Sequence, residues 1–329
     1  MTAPTDYWQA AALSSDLGKR PVRVLLDGLP IVLFRSGDDV AALADRCPHR
    51  LVALSDGTSR SGEIECAYHG WRFDRNGQCT SIPGHLGAVP AIRVPRYQAI
   101  ERDGAIFIAE GNPDGAPYAH CMAGKDIVVR QVRSSTPSTV IDAAENILDA
   151  THTHFTHKGL LRGLTSKRHR VTVDVRGGPD WVEATYTGED RQQGIISRLL
   201  EGDRVKTVGR FRFPGIAELE YWGANGPVLV TTFHLRQADE DHVEGLAWLI
   251  GPREGIFGSL KAFAFKPLFT IALHQDRRVL ASASRNARAF PEAKPVLGPL
   301  DFLRRDIAAI MNGKKPDAAV EPRSYTVEL

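Results

Sequence analysis

The chain has 329 residues, 43% hydrophobic and 24% charged, with a formal net charge of +2. That length accommodates two domains with separate cores. The near balance of acids and bases excludes a polycationic surface for nucleic acid or anionic membrane.

Four cysteines are too few for a disulfide-built framework. No apolar run reaches the roughly 18 residues that a membrane span needs. Residues 1–9 contain Asp6 and lack a basic segment followed by an apolar one, so no leader is expected and the protein is expected to be cytoplasmic.

In chain order, residues 7–17, with Tyr7, Trp8, Ala11 and Leu13, read as a short helical entry. Arg20 to Val24, Pro30 to Arg35 and Val40 to Asp45 then alternate with turn residues at strand spacing. Asn76-Gly77 signals a hairpin, and residues 92–100 and 105–109 read as closing strands. The segment Gly111-Asn112-Pro113-Asp114-Gly115-Ala116-Pro117 is a linker, which puts the domains at 1–115 and 116–329.

Past the linker, residues 127–132 are β-type and 141–153 helical. Six runs between 171 and 250 read as antiparallel strands separated by turns such as Gly177-Gly178-Pro179-Asp180 and Gly188-Glu189-Asp190. A long helix from Gly258 to about Ser284 turns Phe263, Leu268, Ile271 and Ala272 inward, with Pro267 expected to kink it. A shorter helix covers Pro299 to Met311 and stops at Asn312-Gly313. The second domain is therefore α+β.

Two stretches carry chemistry. The first is Cys47-Pro48-His49 followed by Cys66-Ala67-Tyr68-His69-Gly70-Trp71. Two thiolates with two imidazoles can hold a zinc ion, or a two-iron cluster gripped by sulfur on one metal and nitrogen on the other. Zinc clips more often repeat C-x-x-C with H-x3-5-H, whereas each pair here mixes one thiolate with one imidazole. Cys79 and Cys121 read as structural.

The second stretch is Asn146-x-x-Asp149-x-x-His152-x4-His157. Asp149 and His152 are three apart and share a face of a helix. His152 and His157, five apart, cannot stack on a regular one, so the helix has to distort or end near Phe155, where Lys158-Gly159 supplies a stop. His154 competes geometrically, being three from His157. Two imidazoles with one carboxylate form the open-sided set that suits Fe(II).

Together these motifs resemble those of the Rieske non-haem iron oxygenases, in the short branch of the vanillate O-demethylase and dicamba monooxygenase oxygenase components. The resemblance implies an all-β Rieske [2Fe–2S] domain followed by a helix-grip catalytic domain with an antiparallel sheet. It implies Cys47, His49, Cys66 and His69 on the cluster, and His152, His157 and Asp276 on a mononuclear Fe(II). Asp276 fits through its Gln275-Asp276 context better than Asp301 or Glu292, which lie past Pro291.

Asp149, with Asn146 nearby, would bridge the two centres between subunits of a homotrimer. The implied co-substrate is O2, with NADH electrons arriving through a separate flavin reductase or ferredoxin. Seven arginines and no lysine between residues 45 and 100 read either as a solvated, mildly basic surface or as a docking side for an acidic donor. The substrate is expected to be a small, aromatic molecule that is hydroxylated or O-demethylated, with His242 a candidate to orient it. A cis-diol-forming dioxygenase and a non-catalytic Rieske electron carrier are the alternatives, and the second would not require residues 116–329.

Overall fold

The computed structural model describes residues 6–122, 124–160, 168–188, 204–253 and 255–329, with the side chains of helical residues 255–265 left aside. It divides into two compact units. One takes the residues through Ala119 together with Arg236–Glu240, and the other takes His120–Leu235 and Asp241–Leu329.

The first unit holds β1 (Gln9–Leu13), β2 (Val22–Leu26), β3 (Leu29–Ser36), β4 (Asp39–Ala44), β5 (Thr58–Arg60), β6 (Glu63–Glu65), β7 (Arg72–Phe73), β8 (Cys79–Ser81), β9 (Arg96–Arg102) and β10 (Ala105–Ala109). They form a six-stranded sheet, β1-β10-β9-β4-β3-β2, and a four-stranded one, β5-β6-β7-β8. Strand β3 is buried on both faces, and its period of two divides it between two cores. Ile31 and Leu33 join Val24, Leu26, Ile106 and Ile108, whereas Val32 and Phe34 join Leu43, Leu54, Ile64 and Phe73.

The expected helical entry at residues 7–17 is instead a strand followed by a 3-10 turn at Ser14–Asp16. Ala10, Ala11 and Ala12 favour a helix in isolation. Pairing with Ile106–Ile108 and burial of all three override that preference. The Asn76-Gly77 hairpin is present: Gly77 sits at φ +77°, and Asp74 accepts from the backbone N–H groups of Asn76 and Gln78.

The second unit contains β11 (Ile127–Pro137), α1 (Val140–Leu148), α2 (Thr153–Thr156), β12 (Arg170–Gly177), β13 (Trp181–Thr187), β14 (Lys206–Arg212), β15 (Ile216–Gly223), β16 (Gly226–Gln237), β17 (His242–Pro252), α3 (Gly255–Ala289), α4 (Arg304–Met311) and β18 (Arg323–Glu328). Its eight-stranded antiparallel sheet has the order β11-β17-β16-β15-β14-β13-β12-β18. Val171, Val173 and Val175 of β12 meet Ala144 and Leu148 of α1 and Ile307 and Ile310 of α4 in the main core. Thr139 caps α1 by accepting from the Asp142 N–H, and Arg304 of α4 ties Asp142 to Glu145.

Strand β18 has no counterpart in the sequence reading, because its polar alternation becomes a strand only by pairing with β12 at the sheet edge. Helix α4 begins at Arg304 rather than Pro299. Helix α3 includes Pro267; Ala272 is buried on it, but Ile271 is 48% exposed, contrary to the expected inward face. The Phe263 side chain and Glu189-Asp190 lie outside the described residues. Among the described residues no helix is long and apolar enough to cross a membrane.

Candidate metal centres

The first centre is built from two loops with the same backbone pattern. In one, the Cys47 N–H donates to the Val52 carbonyl and the Cys47 carbonyl accepts from the Leu51 N–H. In the other, the Cys66 N–H donates to the Trp71 carbonyl and the Cys66 carbonyl accepts from Gly70. Each closes through one left-handed residue, Leu51 at φ 61° and Gly70 at φ 68°. Glycine suits that position, and a Cβ there would also lie 3.1 Å from Pro83 Cγ.

The loops present their thiols and imidazoles differently. Cys47 and Cys66 are buried, whereas His49 and His69 are exposed with ring centroids 4.6 Å apart. Trp71 stacks on His49 at 4.7 Å. Buried Asp45 holds the first loop by accepting from the Ser55 N–H and hydroxyl.

Burial pushes the Cys47 thiol up, and Cys66 beside it pushes it further, so Cys47 becomes a thiolate most readily on metal. Desolvation and the facing His69 hold His49 below its ordinary value, keeping it neutral as a ligand must be. No three of these four residues bring ligand atoms within 4.8 Å of one another, as one tetrahedral ion would require. Sulfur inside, nitrogen outside and a spread donor set fit two metals rather than one.

The second centre lies at the end of α1. The helix stops at Leu148, before Asp149, rather than continuing toward Phe155 as the sequence suggested. The Asp149 carboxylate accepts from the Thr151 N–H, the Thr151 hydroxyl and the His152 N–H. These local bonds take the Thr151 and His152 N–H groups that a continuing helix would have used. Asp149 therefore meets His152 through a turn, not along a helix face.

His152 precedes the short α2 and His157 follows it, which brings their Nε2 atoms to 3.2 Å. Asp276 Oδ1 from α3 lies 3.4 Å from His152 Nε2 and 3.0 Å from His157 Nε2. Ligands of one ion at about 2.1 Å are spaced about 3.0–3.4 Å apart, so the triangle matches a single metal. Asp276 Oδ1 is buried with no hydrogen-bond partner, as an oxygen reserved for a cation would be. His154, between them in sequence, is not part of the triangle.

Each imidazole is oriented from its other nitrogen. His152 Nδ1 faces Asp149 Oδ2 at 3.3 Å, and His157 Nδ1 lies 2.8 Å from Gln275 Oε1. Donation from His157 Nδ1 to Gln275 leaves its Nε2 lone pair aimed at the centre, and the Asp149 carboxylate facing His152 Nδ1 orients that imidazole by charge. Gln275 had served only as sequence context for Asp276; its role needs α3 to pass beside His157.

Burial raises the Asp276 carboxyl, but the His152 and His157 imidazoles facing it more than offset that and hold it below the ordinary range. Burial likewise lowers His152, yet Asp149 and Asp276 reverse that and bring the imidazole up to about 9. The surroundings thus demand a positive charge at Nε2, either a proton or a metal ion. Anaerobic loading with Fe(II) at pH 7 is therefore expected to release about one proton per chain. Calorimetry in buffers of different ionisation enthalpy reads this directly, and heats independent of buffer would contradict it.

A cavity of about 180 Å³ adjoins Asp276 and Asn146. Its floor is sheet (Ser134 and Thr136 of β11, Val243 and Gly245 of β17, Phe233 of β16), and α1 and α3 cover it. His242 lies exposed at the start of β17 and does not line the cavity; Val243 does. A second convergence, Cys121 with Glu218 and Glu220, surrounds the Arg210 guanidinium and is an ion-paired network.

Residues 7–97 match the Rieske [2Fe-2S] domain family. The N-terminal domain is a Rieske domain. Over 116 residues the chain is 44% identical to the oxygenase component of dicamba O-demethylase from Stenotrophomonas maltophilia, covering 34% of each chain. It is 32% identical over 158 residues to the aminopyrrolnitrin oxygenase PrnD of Pseudomonas fluorescens, covering 44% of each. These alignments span less than half the length of the relatives.

The fold likeness extends further than the sequence likeness. A crystal structure of dicamba monooxygenase bound to dicamba superposes with a TM-score of 0.81 at 21% identity, over 94% of this chain and 97% of that one. Pseudomonas putida CBB5 NdmA with caffeine gives 0.74 at 20% identity, over 93% and 90%. The chain is thus similar to these oxygenases in sequence over its N-terminal part and to dicamba monooxygenase and NdmA in fold over nearly its whole length.

Proposed function

We propose that the chain is the terminal oxygenase component of a multicomponent system that monooxygenates, by hydroxylation or O-demethylation, a small aromatic substrate. The observation that carries this reading is the Asp276 triangle beside the cavity: three ligand atoms on one side of an ion leave the opposite side for O2 and substrate. Relatives named as an O-demethylase and an oxygenase support the same chemistry.

Cys47, Cys66, His49 and His69 would hold a [2Fe–2S] cluster, and His152, His157 and Asp276 an Fe(II). When bound, these groups supply single electrons and the activation of O2. The protein's share is orientation. Asp149 and Gln275 fix the two imidazoles, and the apolar cavity wall keeps the reacting carbon against the open side of the triangle.

Asp149 would also accept from His69 of the partner subunit, which makes a homotrimer the working assembly. The electrons would come from NADH through a flavin reductase or a ferredoxin; a relative named oxidoreductase NdmD is consistent with such a donor. Asp149→Asn keeps acceptor oxygen for the Thr151 turn but loses the charge facing His152. Both metals are expected to remain while turnover falls by at least about tenfold to a hundredfold; unchanged turnover would remove Asp149 from electron delivery.

The direct test is metal and sulfide analysis of anaerobically purified protein, with about three irons and two acid-labile sulfides per chain expected. A substrate panel under labelled O2 with a matched reductase then assigns the reaction. Formaldehyde or a singly labelled alcohol supports monooxygenation, and a doubly labelled cis-diol would replace it with dioxygenation. Zinc without sulfide would end the reading.

A further inference from the structure

We propose that Trp71 is a positioning residue for His49, its indole holding that imidazole in place as a hydrogen bond holds most metal-bound histidines. The inference rests on the oxygenase reading for the presence of the cluster and concerns no step of the oxygenation.

The first argument is a missing partner. A metal-binding imidazole is ordinarily oriented through its second nitrogen, as Asp149 and Gln275 orient His152 and His157. His49 is exposed, and its ring makes no hydrogen bond or ion pair among the described residues. An exposed ring turns readily about its side-chain bonds, whereas a ligand has to be held in one geometry.

The second argument is what the ring meets instead. The Trp71 indole lies parallel to it within 5°, with centroids 4.7 Å apart. Aromatic rings favour that kind of offset stack. His69, at 4.6 Å, meets the same imidazole tilted by 57°.

The third is that the support is itself fixed. The Trp71 carbonyl accepts from the Cys66 N–H, and the residue leads directly into β7. Its side chain packs against the core of Leu54, Ile64, Phe73 and Val94 that also contains Cys47 and Cys66. One set of side chains therefore fixes both thiols and the wall behind His49. His69 is supported differently: the ring of Tyr68, 3.9 Å from it, is on a residue that is 59% exposed.

Removing the indole would let the His49 ring tilt and admit water on that side. Water favours the reduced cluster, which carries the extra negative charge, so the potential should rise.

The test uses the full-length protein, with acid-labile sulfide measured on every preparation, and compares Trp71→Leu, Trp71→Phe and Ile64→Val. Leucine removes the flat face and phenylalanine keeps one. Ile64→Val trims the same buried core and leaves the stack in place. Trp71→Leu is expected to lose cluster iron to a chelator at least about tenfold faster. It should also raise the cluster potential and broaden the electron paramagnetic resonance spectrum of the reduced protein. Trp71→Phe should restore all three, and Ile64→Val should leave potential and spectrum unchanged.

Faster iron loss with an unmoved potential and spectrum in Trp71→Leu would reduce Trp71 to a packing residue and overturn the proposal. The same changes in Ile64→Val, or their persistence in Trp71→Phe, overturn it too. If Trp71→Leu holds too little sulfide to measure, Trp71→Phe decides: the unmodified potential and spectrum support the proposal, and altered ones overturn it. Unmodified protein without sulfide would overturn the oxygenase reading together with this inference, whereas a cluster indifferent to Trp71 overturns this inference alone.

Discussion

Asp276→Ala is expected to yield a folded protein that keeps the cluster iron and sulfide but loses the mononuclear iron and all turnover. Asp276 contributes the only carboxylate of the triangle, and its Oδ1 contacts both Nε2 atoms at 3.0 and 3.4 Å. Removing an orienting group behind a ligand typically costs 10–100-fold in metal affinity, so deleting the ligand itself should cost more than about a hundredfold. Gln275→Leu provides the graded comparison. It takes away the acceptor 2.8 Å from His157 Nδ1 and should weaken iron binding within that 10–100-fold range. Iron analysis beside the cluster absorbance separates the two losses. Full iron and full activity in Asp276→Ala would move the metal site elsewhere.

Arg210→Met is expected to destabilise the second unit by about 3–5 kcal/mol, the usual result of removing one partner from a buried ion pair. The Arg210 guanidinium lies 2.7 Å from Glu183, 3.1 Å from Glu218 and 2.5 Å from Glu220. All three glutamates are buried, and Arg176 gives Glu183 a second cation. Thr232 donates to Glu218 and Trp222 to Glu220, but neither brings charge.

The denaturant midpoint of the variant at neutral pH, compared with that of the unmodified protein, measures this. A midpoint that does not move at neutral pH would show that the network is wet.

Much of the candidate site was legible because its chemistry is written in short spacings. Cys47 with His49, Cys66 with His69, and Asp149 with His152 lie within a few residues of each other, so side-chain type and turn residues suffice to pair them. The geometry between them was less legible. A helix face seemed to explain Asp149 and His152, whereas the structure uses a carboxylate-capped turn that ends α1 at Leu148. Local propensity favoured a helix there, and a side chain competing for backbone N–H groups decided otherwise. The same kind of override turned Ala10-Ala11-Ala12 into a strand and left Ile271 facing outward.

By itself the sequence determined which residues could ligate metal, the strand-rich character of the first domain and the alternation that places β12 to β17, since these depend on neighbours along the chain. Only the tertiary structure decided what comes together across long separations. Gln275 lies behind His157, Thr136 and Gly245 form one cavity floor, and His242 stays outside it. Those outcomes depend on strand register and on where α3 crosses the sheet. A shift of one residue in β11 against β17 would turn the cavity floor to the opposite face.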